Sequence, residues 1–303
     1  MLVSKGSVKR KKKKTASRSA PVRIGIHTSI AGKLELAAER AKQLGCDAFQ
    51  IFSASPRNWA GPALNPFDAE AFRQRRHALG LDPLVVHDNY LINLASSQRL
   101  LRIRSIHAFR GEIERARALG ADYLVFHPGS AAGMTRRQAL ANVADGLRQA
   151  TAARRLNGLQ LLVENAAGQG SALCADLDEL AELVHALPEL NLGVCIDTAH
   201  LFAAGYDIRQ RDGLEDTLAK IHTSLRLARV KVIHINDSKA DCGSRVDRHQ
   251  HIGRGKIGRE AFRRLLHHPT LAGKTFILET PIEKKGDDRR NLQTVRRLAQ
   301  ARK

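Results

Sequence analysis

Six short apolar runs in this chain of 303 residues each end on a histidine or a carboxylate. Leu84–Val86 runs into His87, Tyr123–Phe126 into His127, and Gln160–Val163 into Glu164. Leu192–Ile196 runs into Asp197, Val230–Ile233 into His234, and Thr275–Leu278 into Glu279. Runs rich in Val, Ile and Leu read as buried strands. An ionisable group at the same end of every strand is costly unless something binds it. Two Glu, one Asp and three His gathered on one rim point to a metal cluster. A solvated rim without metal is the blander reading, and six residues in one phase argue against it. Three further candidates lie in loops on the same rim. His200 follows Asp197 by three residues, and Asp247 and His249 alternate in the long polar loop after the seventh run. Nine candidates exceed the roughly three protein ligands of a single catalytic zinc and suit two or three metals that share carboxylates.

Strand and helix signals alternate through the rest of the chain. Val22–Ile26, ending at His27, and Ala48–Phe52 are the two strands that precede the six runs above. Helical spacing covers Leu34–Leu44, Asp68–Leu79, Arg99–Leu119, Thr135–Leu156, Leu177–Leu187, Gly213–Ala228, Arg259–Leu266 and Arg289–Ala301. Gly45, Gly80 and Gly120 each stop a helix as natural C-terminal caps. Alternating strands and helices imply a parallel sheet. Eight of each, in a chain this long, predict a single (β/α)8 TIM barrel with its active site at the C-terminal rim of the strands. An open doubly wound sheet is the alternative. It would spread the ligands along a crevice instead of round one centre.

Composition narrows the class. A hydrophobic content of 43% supports a large core. Lacking any run of about 18 apolar residues, the chain is expected to span no membrane, and it shows no apolar secretory segment. Cys46, Cys174, Cys195 and Cys242 form no CxxC pair and read as reduced thiols of an intracellular protein. The net charge of +20 favours a polyanionic partner, most simply nucleic acid. Eight of those charges lie in residues 1–20, which contain no acid, so the remainder is basic in its own right. Residues 1–20 read as a disordered basic arm, for non-specific contact with DNA backbone or for nuclear import. Residues 21–303 form the barrel domain.

The order of the motifs resembles the endonuclease IV family of abasic-site endonucleases. The resemblance is carried by His87-Asp-Asn-Tyr-Leu-Ile-Asn-Leu94, Phe126-His-Pro-Gly-Ser130 and Val163-Glu-Asn-Ala-Ala-Gly-Gln-Gly170. It continues through Ile196-Asp-Thr-Ala-His-Leu-Phe-Ala-Ala-Gly-Tyr-Asp207, His234-Ile-Asn-Asp-Ser-Lys239, Gly243-Ser-Arg-Val-Asp-Arg-His249 and Leu278-Glu-Thr280. Seven segments in order, spanning roughly Val22 to Thr280, are far more specific than any one of them.

The resemblance implies a trinuclear zinc site, with manganese acceptable at one position. His87, His127 and Glu164 would hold the first zinc. Glu164 would bridge to a second, completed by Asp197, His234 and Glu279. His200, Asp247 and His249 would hold the third. It further implies hydrolysis of the phosphodiester 5′ to an abasic site in duplex DNA, giving a 3′-hydroxyl and a 5′-deoxyribose phosphate. Glu164 or Glu279 would orient the attacking hydroxide. Arg57, in Ser53-Ala-Ser-Pro-Arg-Asn-Trp59, and Tyr90 would enter the DNA and fill the gap left by the flipped nucleotide. A missing base lowers the cost of that extrusion. The enzyme is expected to act as a monomer, in the cytoplasm with the nucleoid if bacterial and in the nucleus if eukaryotic. Outside this resemblance, Arg57 and Tyr90 read as ordinary loop residues. His27 reads as a neighbour of the ligands or a DNA-facing residue, and His251 as a spectator close to the site.

Two rivals remain at this point. A sugar isomerase or epimerase of the xylose isomerase-like barrel type would share the barrel and a similar rim, but has no evident need for a third metal site or a basic body. A non-catalytic DNA- or metal-binding protein could lose ligands freely, yet none of the nine is missing.

Overall fold

Each of the eight apolar runs becomes a strand, and the strands close on one another. The computed structural model describes residues 22–152 and 155–300, so the basic arm expected over 1–20 lies outside the described residues. In chain order the first half comprises β1 (Arg23–His27), α1 (Glu35–Leu44), β2 (Ala48–Phe52), α2 (Pro66–Ala78), β3 (Leu84–His87), α3 (Arg99–Ala118), β4 (Tyr123–Phe126), α4 (Arg136–Thr151) and β5 (Gln160–Glu164). The second half comprises α5 (Leu177–His185), β6 (Gly193–Asp197), α6 (Thr198–Ala204), α7 (Arg211–Leu225), β7 (Val230–His234), β8 (Asp237–Ser238), β9 (His249–Gln250), α8 (Arg259–Leu266), β10 (Thr275–Leu278) and α9 (Asp287–Gln300). The barrel runs β1-β10-β7-β6-β5-β4-β3-β2 and all its pairs are parallel, as the alternation of strands and helices requires.

The inside of the barrel explains why the rim residues converge. Ala48, Val85, Val125, Leu162, Cys195, Val232 and Ile277 are fully buried and form a small cluster of their own. Successive side chains on a strand point to opposite faces. Two residues further along each of these strands stand Gln50, His87, His127, Glu164, Asp197, His234 and Glu279. The intervening Phe49, Val86, Phe126, Val163, Ile196, Ile233 and Leu278 join the larger core under the helices. One apolar layer therefore carries one polar layer above it, strand by strand. On β1 the same two steps lead from Gly25 to His27. Gly25 must be glycine, because a Cβ there would lie 2.0 Å from the Ala48 carbonyl oxygen.

Local signals act as predicted at several helix ends. Gly45 closes α1 in the left-handed conformation, and Thr135 opens α4 with a reciprocal capping box to Gln138. Three features depart from the sequence reading. The fourth helix, expected to reach Leu156, stops at Thr151. A short helix, α6, precedes the one expected near Gly213. Asp197 is its N-cap and accepts the His200 amide at 2.8 Å. Finally, the polar loop after β7 contains an antiparallel ribbon, pairing Ser238 with His249.

Candidate metal centre at the barrel rim

The six strand-end residues and the three loop residues meet above the barrel core. His87, His127 and Glu164 bring ligand atoms within 4.8 Å of one another, as do Glu164, Asp197, His234 and Glu279. Asp197, His200 and His249 form a third such group. Asp247 lies against its outer side, 3.2 Å from His200 Nε2 and 3.6 Å from His249 Nε2. Glu164 joins the first two groups: its Oε2 lies 3.2 Å from His87 Nε2, and its Oε1 lies 3.1 Å from His234 Nδ1. Asp197 likewise spans the second and third, with Oδ2 3.6 Å from His249 Nε2. The short helix α6 brings His200 into the group, and the β8–β9 ribbon brings in His249.

The hydrogen atoms on three imidazoles can be assigned from their backbone partners. Nδ1 of His87 faces the Asp88 carbonyl at 2.9 Å, Nδ1 of His200 the Asn165 carbonyl at 3.0 Å, and Nδ1 of His249 the Glu279 carbonyl at 3.1 Å. A carbonyl only accepts, so each Nδ1 carries a proton and each Nε2 is left facing the carboxylates. His200 Nε2 and His249 Nε2 are buried and make no well-formed hydrogen bond among the described residues, although the Asp247 carboxylate lies 3.2 and 3.6 Å away. Buried nitrogens of this kind, aimed among carboxylate oxygens, are the donor set that a zinc-like cation requires. The residues therefore fit the metal cluster that their types suggest.

Electrostatics point the same way. Burial disfavours charge on Glu164, yet the surrounding imidazoles, His234 foremost, hold its pKa well below the usual carboxylate range. Burial likewise opposes charge on His87, but Glu164 carries it up to about 10. Strong mutual attraction among buried acids and imidazoles marks a site built for cations, whether protons or metals.

Neutral side chains that the sequence reading missed hold the acids in place. Gln50 Nε2 donates to Glu279 Oε1 at 2.6 Å, and Asn236 Nδ2 donates to Asp197 Oδ2 at 2.7 Å. Asn165 Oδ1 accepts the Asp197 amide at 2.7 Å. The inward phase of β2, two residues after Ala48, was the available signal for Gln50. His27 belongs to this supporting set: its Nδ1 lies 3.1 Å from Gln50 Nε2 and 3.9 Å from Glu279 Oε1. His251 turns away and pairs with Asn291.

A cavity of about 550 Å³ opens above the cluster, lined among others by Phe52, Tyr90, Arg248 and Glu279. Tyr90 is 67% exposed at its lip, and its amide donates to the Pro56 carbonyl at 3.1 Å. That bond ties the Tyr90 loop to the loop that carries the exposed Arg57. Gly168 and Gly170, both at positive φ, turn the segment after Glu164.

The closed barrel with a metal-ligand rim defines a class, and the sequence agrees: residues 38–301 match the family described as xylose isomerase-like TIM barrel. Within that class, the chain belongs to the endonuclease 4 family. A probable endonuclease 4 of Solibacter usitatus is 50% identical over 281 residues, covering 92% of this chain and 97% of that protein. The crystal structure of endonuclease IV from Thermus thermophilus superposes with a TM-score of 0.81 at 42% identity, over 91% of this chain and 98% of that one. A D-tagatose 3-epimerase-like protein also superposes, with a TM-score of 0.70 at 20% identity over 91% of this chain and 96% of that one. At that distance the likeness is one of fold alone.

Proposed function

We propose that this chain is a metal-dependent AP endonuclease of DNA repair. It hydrolyses the phosphodiester 5′ to an abasic site in duplex DNA, leaving a 3′-hydroxyl and a 5′-deoxyribose phosphate. The observation that carries the reading is the convergence of six strand-end and three loop His, Asp and Glu side chains on one rim, in a member of the endonuclease 4 family. Three zinc ions are the cofactor we infer, with manganese acceptable at one position. His87, His127 and Glu164 would hold one. Glu164, Asp197, His234 and Glu279 would hold the second, and His200, Asp247 and His249 the third. Ions bound there would supply ionised water near neutral pH and offset the charge of the phosphodiester.

The chain's own groups do the rest. Glu164, fully buried, holds the first two ligand sets at a fixed separation. Glu279, whose side chain is 19% exposed, reaches the cavity and can orient the attacking water while Gln50 fixes its other oxygen. Arg57 and Tyr90, on joined loops at the lip, would enter the duplex where the missing base has removed stacking. The basic body draws the polyanion to the rim. All nine ligands come from one chain, so a monomer suffices. A sugar isomerase gains no support from the third group, for which that chemistry has no evident use.

End mapping tests the reading. A 5′-labelled strand carrying one abasic analogue should be shortened to a fragment that a DNA polymerase can extend. A fragment that cannot be extended, or cleavage on the 3′ side, would overturn it.

A further inference from the structure

The polar layer holds one fully buried neutral member, Gln50, among its ligands. Its amide is unambiguous in orientation. Glu279 Oε1, 2.6 Å away, can only accept, so the atom facing it is the NH2 group. The second hydrogen of that group meets His27 Nδ1 at 3.1 Å. Gln50 Oε1 then faces His234 Nε2 at 2.8 Å, so that ring nitrogen carries the proton. His234 Nδ1 is left with its lone pair 3.1 Å from Glu164 Oε1 and 3.2 Å from Glu279 Oε2. His87, His200 and His249 have their tautomers set by backbone carbonyls, which no substitution removes. His234 instead depends on a side chain.

We infer that Gln50 is a positioning residue: one carboxamide fixes both the tautomer of His234 and the orientation of Glu279, and so governs how firmly the Glu164–Asp197–His234–Glu279 group holds its metal. The inference rests on reading the rim as a metal centre. Hydrogen bonds of this kind to metal ligands are commonly worth about 10–100-fold in metal affinity. The effect should be confined to one group, because the hydrogen bonds of Gln50 among the described residues go to His27, Glu279 and His234, and so to no member of the third group and neither histidine of the first.

The test is zinc retention. Zinc-loaded parent, Gln50→Met and Gln50→Glu are dialysed against graded chelator, and zinc per chain and melting temperature are measured. Methionine keeps the length and loses all three bonds. Glutamate keeps the shape and the acceptor but loses the donor, and serves if the methionine variant does not fold. The expected result is that one zinc per chain leaves at about 10–100-fold lower chelator, while the others stay as in the parent. Loss of all zinc in step with the parent's would overturn the inference, as would equal loosening of every zinc with a fallen melting temperature. A parent that holds no zinc would instead overturn the metal-centre reading itself.

Discussion

Ser53 donates its hydroxyl to the buried carboxylate of Glu112, 2.5 Å away in the middle of α3. Arg115, one turn on, donates to both Ser53 Oγ and Glu112 Oε1, and Asn89 Nδ2 lies 3.3 Å from the same Oε1. Ser53 starts the loop that carries Arg57, and Asn89 precedes Tyr90. One buried acid thus ties both lip loops to a rigid helix. Glu112→Ala would leave the Arg115 guanidinium, whose side chain is 11% exposed, without its counter-charge. Removing one partner of a buried pair costs about 3–5 kcal/mol. Urea unfolding should show a loss of that order, and an unchanged midpoint would mean that the pair is dispensable.

Arg57 is exposed and makes no ion pair among the described residues. Arg57→Ala should therefore leave metal content and stability intact while weakening cleavage of abasic duplex by about 1–3 kcal/mol in kcat/KM, the scale of one arginine contact to nucleic acid. Elemental analysis and steady-state kinetics on the same preparation check both halves. A variant that cuts as well as the parent would remove Arg57 from the DNA-facing loop.

The barrel and its nine candidate ligands could be read from the chain because both leave a cost in the sequence. An acid or imidazole at the end of an apolar run is conspicuous, and its recurrence at six strand ends exposes the common rim. Gln50, Asn165 and Asn236 escaped because burying a neutral amide leaves no comparable mark; their roles emerge only from the partners that the closed barrel brings near. Helix α6 escaped for another reason. Its residues Thr198–Ala203 are all buried, so no apolar stripe alternates with a polar one. The two-residue strands β8 and β9 are too short to show any period.

Asp237, wholly buried at the start of β8 in the ribbon, accepts backbone N–H groups from Ser238, Gly253, Gly255 and Ile257 at 2.8–3.0 Å. Its carboxylate is the template on which the segment after His249 folds. Asp237→Asn would turn an NH2 group towards donors. Each buried group left unsatisfied costs about 1–3 kcal/mol, so the variant should unfold at clearly lower denaturant. Wild-type stability would show that the segment needs no such anchor.

The thiols should differ in reactivity. Burial pushes the Cys46 thiol up to about 12 and those of Cys174 and Cys195 well above the usual range. Since the thiolate is the reactive form, these three stay protonated and shielded at pH 8. Cys242 is partly exposed, and burial raises its pKa too. Alkylation of native protein at pH 8 followed by peptide mapping should find label on Cys242 alone, slowly acquired, with all four labelled after denaturation. Rapid native labelling of Cys46 would contradict the packing around it.

Incision of a duplex oligonucleotide containing one abasic analogue, with and without chelator, addresses the centre of this account most directly. The protein should cut the abasic strand, lose that activity when its metal is stripped, regain it on return of zinc, and leave the undamaged duplex whole. Metal-replete protein that leaves the abasic strand intact, or cuts it equally well after complete removal of metal, would contradict the account.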